Sequence, residues 1–294
     1  MLAAAGGILP EPAREFAYQR PDEWAAGLRP LEQHLGYHGS LMRTLLTAMT
    51  LILLGILSVP LNGQPSTQEA RDIIDRVDRM LRGDSSVGRV EMTVATRQWK
   101  RTTELRIWSE GTEKVLVRVE SPKKDQGTAT LRVGDNIWNY LPKIDRVIRI
   151  PTSMMMASWM GSHFTNDDLV KDSRLIRDYD IAIDYEGPRE GVAVYEFLLT
   201  PRPEAPVVWG KIVYQIRKSD LQPIWGKFYG EDGQLKRLAT FSDWETMDGR
   251  LVPTRMRMSP SDKPGEFTEM KYKELDFDLK IAESIFSLKA LRGS

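Results

Sequence analysis

The sequence predicts a mainly β fold with a few helices (α+β), built on one large curved antiparallel sheet. Two observations predict it. Beyond residue 88 almost every run is short and β-rich, and the turns between runs carry hairpin signals, as in Glu231-Asp232-Gly233, Asp248-Gly249 and Asp262-Lys263-Pro264-Gly265. Helical spacing is confined to a few segments, which leaves no crossover helices for a parallel sheet.

The elements follow in order. Residues 1–41 are rich in Pro, Ala and Glu without a sustained period, and are expected to be a non-native or disordered extension. Met42-Arg43 and the apolar run Leu45–Val59 then read as a secretory leader over 42–63, with Met42 as the expected start of translation. The run of about fifteen residues is short for a membrane span, which needs ~20. Residues 64–294 are expected to form one exported domain. In Gln68–Leu81, the positions Ile73, Ile74, Val77, Met80 and Leu81 fall on one helical face. Strands are predicted near 89–96, 102–109, 114–121, 128–133, 136–141 and 146–150. A second series lies near 180–186, 192–200, 208–217, 223–229, 235–244, 251–259 and 266–278. Thr165–Arg177 between the series reads as a short helix begun by Thr165 or Asn166, and Ala282–Leu291 as a short helix or tail. A sheet of this size curls, so it either closes into a barrel or has its concave face filled by helices.

Composition excludes several classes of function. The 41 basic and 41 acidic residues balance, so no basic footprint points to nucleic acid. With no Cys, neither a disulfide framework nor a lipid-modified amino-terminal Cys is available. No metal site is nominated, because His163 is the only histidine after the leader. Ser162, His163 and Asp167 have the residue types of a catalytic triad, but near neighbours in sequence rarely converge in the required line, so no catalytic residue is nominated. Carboxylate pairs such as Asp72 with Asp75 or Glu104 with Glu113 are expected by chance in a chain with 28% charged residues. Neither glycine-rich phosphate-loop pattern occurs, and no cofactor is expected.

The apolar residues between 138 and 164 carry the strongest signal. Trp138 and Tyr140 share one face of their strand, with Ile137 and Leu141 on the other. Past Pro151 come Met154, Met155, Met156, Trp159, Met160 and Phe164, more apolar bulk than a solvent-facing linker needs and well suited to an adaptable apolar site. With Trp225, these nine residues are the candidate lining of an apolar groove and its lid, although for the tryptophans core packing would look the same.

This stretch also resembles a known family. The segments Ser121-Pro122, Gly127-Thr128-Ala129, Trp138-Asn139-Tyr140-Leu141-Pro142 and Met160-Gly161-Ser162-His163-Phe164 resemble the outer-membrane lipoprotein-sorting proteins, LolA- and LolB-like periplasmic carriers. Gly230–Leu235 and Pro253–Met258 fit the same pattern, and the similarity spans roughly Ile74 to Leu291. The resemblance implies an unclosed half-barrel sheet with helices as a lid over an apolar cavity. It also implies lipid or lipoprotein acyl chains as cargo, a monomer, and an inner-membrane transporter and an outer-membrane acceptor as partners. A protein-binding or stress-sensing module of the same fold is the alternative. Carriers of this group hold the lid shut with an arginine on the sheet, and sequence alone aligns no arginine of this chain with it.

Overall fold

A computed structural model of the chain describes residues 67–171 and 175–293. The chain divides into two compact units, Met1–Leu61 and Asn62–Ser294, and the described residues all belong to the second. The expected leader and the stretch before it lie outside the described residues.

Helix α1 spans Thr67–Arg82 and buries Ala70, Ile73, Ile74 and Val77, the stripe its spacing predicts. It ends at Gly83, whose φ of 67° suits a left-handed helix terminus and whose N–H donates to the Arg79 carbonyl at 2.8 Å. Six strands follow as a meander: β1 (Ser85–Ala95), β2 (Lys100–Glu110), β3 (Lys114–Ser121), β4 (Ala129–Val133), β5 (Asn136–Leu141) and β6 (Arg146–Arg149). After a long connection come β7 (Tyr179–Arg189), β8 (Val192–Pro201), β9 (Lys211–Arg217), β10 (Pro223–Tyr229), β11 (Leu235–Met247), β12 (Arg250–Pro260) and β13 (Phe267–Phe277). All thirteen form one antiparallel sheet in the order β6-β5-β4-β3-β2-β1-β13-β12-β11-β10-β9-β8-β7. The two meanders join where β1 pairs with β13, with Met92 opposite Met270. β6 and β7 remain opposite edges, so the sheet is unclosed.

This order dictates where the connection must go. The chain leaves the sheet at one edge, β6, and re-enters at the other, β7, so residues 150–178 have to cross the sheet. They cross on the face that carries α1. Trp159 packs with Val90, Met92 and Leu105, while Leu175 and Ile176 pack with the cluster under α1. Within the helix expected over Thr165–Arg177, the described residues are helical in α2 (Asn166–Lys171) and α3 (Leu175–Asp178). Thr165 begins α2 as expected: its hydroxyl accepts from the Asp168 N–H at 3.2 Å, and the Asp168 carboxylate takes the Thr165 N–H at 2.7 Å.

The other face of the sheet is covered near β3 and β4 by the carboxy-terminal segment, a 3₁₀ turn over Glu283–Phe286 and helix α4 (Leu288–Leu291). Phe286 and Leu291 pack there on Leu116, Ala129 and Leu131. Arg118 Nη2 donates to the Ala290 carbonyl at 2.5 Å, and the Ser287 hydroxyl caps α4 through the Ala290 N–H.

Candidate functional site

On the inner face the register aligns Ile212 with Phe228, Gly226 with Ala239, Ala239 with Met258 and Met256 with Met270. These side chains form a continuous apolar floor from β9 to β13. α1 lies over it, presenting Ile74, Val77 and Leu81. Between helix and floor is an apolar hollow of about 150 Å³, walled by Tyr214, Phe228, Ala239, Phe241, Met256 and Met258, with Phe164 and Leu175 closing it from the crossover. Its volume is roughly five times a water molecule's ~30 Å³ share of the liquid. It is small beside the ~300–1,000 Å³ of a ligand pocket, so a guest requires α1 or the crossover to move outward.

One ion pair ties the crossover to the floor. Arg237 on β11 grips Asp168 on α2 with both ends of its guanidinium, Nη1 to Oδ2 at 2.6 Å and Nη2 to Oδ1 at 2.5 Å. The side chains are 8% and 15% exposed, so the pair lies out of water. The guanidinium also sits against two aromatic rings, 4.3 Å from the centroid of Trp209 and 4.6 Å from that of Phe228. Asp167 and Asp178 are buried nearby, and burial, with these carboxylates alongside, pushes the Tyr179 phenol up.

A second clasp holds the crossover to β13. The His163 ring meets Thr268 Oγ1 at 2.9 Å through Nδ1 and Glu266 Oε2 at 3.3 Å through Nε2. The Arg97 backbone N–H, and then the His163 ring, hold the Glu266 carboxyl below the usual carboxylate range. Ser162 turns away from this pair, and its hydroxyl donates to the Trp159 carbonyl at 2.7 Å.

The nine residues singled out in the sequence do not come together. Trp159, Met160 and Phe164 lie on the inner face, and Phe164 touches both apolar clusters there. Trp138 and Tyr140 are placed on the opposite face, packed with the cluster under Phe286 and Leu291. Strand alternation gave their common face correctly but not that it is the outer one, because the tail that covers it comes from about 145 residues further along the chain. Trp225 also lies on the outer face, being out of phase with Gly226 and its inner-face neighbours, and Lys227 Nζ stands 4.3 Å from its ring. Met155 is half-buried, whereas Met154 and Met156 are 48% and 51% exposed. The sequence reading missed Arg237, which shares its alternation phase with the inner-facing Ala239 and Phe241. An arginine within an apolar phase was the available signal.

A family model described as "Uncharacterized protein" matches residues 111–293, more than half of the chain. No curated protein matches. Among solved structures, a DUF1329 family protein from Desulfovibrio piger is similar at 24% identity, over 78% of this chain and 100% of that one, with a TM-score of 0.70. An outer membrane lipoprotein-sorting protein domain from Vibrio parahaemolyticus follows at 23% identity, 77% and 100% coverage and a TM-score of 0.68. A LolA superfamily protein from Nitrosomonas europaea matches at 21%, covering 75% and 98%, with a TM-score of 0.64. The chain therefore belongs to the family of that matching model, and its fold is that of the LolA-like lipoprotein-sorting proteins that its Ser121–Phe164 motifs resemble.

Proposed function

We propose that this protein is a periplasmic carrier that lodges acyl chains of lipoproteins, or another envelope lipid, between α1 and the concave face and conveys them from an inner-membrane donor toward an outer-membrane acceptor. The observation that carries this reading is an apolar hollow covered by α1 and by a crossover that a buried ion pair, Arg237 with Asp168, ties to the sheet. No helix among the described residues is long and apolar enough to cross a membrane.

The magnitudes suit a carrier that opens for its guest. Lifting the cover exposes apolar surface of α1 and the floor, and uncovering ~150–200 Å² costs about 4–5 kcal/mol. An acyl chain that buries ~200 Å² recovers about 5 kcal/mol, and each further methylene adds ~0.8 kcal/mol. A short chain thus fails to offset the opening and a long one exceeds it. Displacement of a fluorescent acyl probe should therefore be far stronger with palmitate than with laurate, by more than about a hundredfold in affinity. Equal displacement by the two would count against burial in the hollow.

A second reading, a protein-binding module of the envelope, is favoured by a different observation. Ile144, Ile148, Met154 and Met156 are all exposed in and beside the edge strand β6. Native mass spectrometry of protein taken from its own compartment separates the two: bound lipid supports the carrier, and a stoichiometric protein partner without lipid supports the module.

A further inference from the structure

A larger hollow lies on the same concave face toward β6, on the far side of the crossover. It measures about 530 Å³, within the ~300–1,000 Å³ range of ligand pockets without any movement. Leu141, Pro142, Ile144 and Met160 give its lining apolar surface, and Arg101, Thr103, Thr128, Thr130 and Asn139 give it a polar part.

The polar part is arranged to give hydrogen bonds. Arg101 Nη2 donates to the Met160 carbonyl at 2.5 Å, a neutral acceptor, while its Nε is buried without a partner. Among the described residues no carboxylate stands within ion-pair distance of Arg101, and the Trp99 ring, 5.7 Å away, is its other neighbour. A half-buried guanidinium in this position carries a desolvation cost that an anion would relieve. The Thr130 hydroxyl accepts from Trp159 Nε1 at 3.1 Å and donates to Asn139 Oδ1 at 2.8 Å. That chain occupies the Asn139 carbonyl and leaves its amide N–H groups for a ligand. The charged groups of the wall are Arg101, Lys143 and Asp125, a surplus of one positive charge. Gly161 turns the crossover beside Arg101 at φ 72°, a conformation that favours glycine.

We propose that this hollow binds the head of a monoanionic amphiphile, a long-chain carboxylate, with the carboxylate at Arg101 and the first part of the chain against Met160, Leu141 and Pro142. A guanidinium matches the planar, acceptor-only carboxylate, and the single surplus charge matches a monoanion. The inference rests on the carrier reading in one respect, that the concave face receives an amphiphile, and adds which head group it selects.

The test is calorimetric titration of the full chain with laurate, lauryl alcohol and lauryl trimethylammonium, which share one chain length. The unaltered protein should bind laurate at least about tenfold more tightly than the alcohol, and the ammonium most weakly. Arg101→Gln should bring laurate down to the level of the alcohol and leave the alcohol unchanged. Arg101→Lys should keep part of the preference. Equal binding of laurate and the alcohol by the unaltered protein, or a preference that survives Arg101→Gln, overturns this inference alone. Binding of none of the three also overturns this inference, while the carrier reading stands or falls separately on palmitate at the hollow under α1.

Discussion

Replacing Arg237 by alanine should lower folding stability by about 3–5 kcal/mol and at the same time tighten acyl-probe binding by the molecules that remain folded. The first effect follows from what is left behind. Asp168, 15% exposed, would lose its cation while Asp167 and Asp178 stay buried close by, and the aromatic box of Trp209 and Phe228 would be emptied. The second follows from competition, since the guest displaces a closed state that has lost its clasp. Replacing both partners, Arg237→Met with Asp168→Leu, should recover most of the stability, because no uncompensated charge is then buried. Urea unfolding and probe titration of the three proteins check both effects. An Arg237→Ala protein as stable as the parent would show that the pair contributes little, and weaker probe binding would show that it does not oppose opening.

Trp159→Ala should destabilise the chain by a similar amount, about 3–5 kcal/mol. The side chain is 2% exposed, packs among Val90, Met92 and Leu105, and its indole N–H binds the Thr130 hydroxyl. It fixes the crossover to the sheet at the boundary between the two hollows. Trp159→Phe keeps most of the ring and loses the hydrogen bond, and should cost only about 1 kcal/mol. Denaturant midpoints of the two variants separate packing from the polar contact. A loss below about 1 kcal/mol for Trp159→Ala would mean that the residue rests on the sheet without anchoring the crossover.

These two residues illustrate how far the sequence could be read. Local rules were sufficient for the strands and turns: Gly233, Gly249 and Gly265 all lie at positive φ in the turns that the sequence marks as hairpins. The helical stripe of α1 needed only its spacing. The apolar run at 154–164 was recognised, but its purpose depends on topology. A connection from β6 to β7 must traverse the whole sheet, and an apolar underside follows from that path as much as from any ligand. Alternation told which side chains share a face and could not tell inner from outer. Trp138 and Tyr140 face outward, where a tail from residues 283–291 covers their cluster. Arg237 stands four residues past the Glu231-Asp232-Gly233 turn, where nothing local marks its role. Its partner lies 69 residues away, and only the fold brings them together.

The most direct test of the carrier account uses the methionine methyl groups as reporters, since Met256 and Met258 line the hollow under α1 while Met154 and Met156 stand exposed on the crossover. With methyl-labelled methionine, palmitate should shift the Met256 and Met258 resonances in proportion to occupancy and leave Met154 and Met156 nearly unmoved. Saturation of the protein with palmitate while Met256 and Met258 keep their positions would place the guest elsewhere and contradict the account.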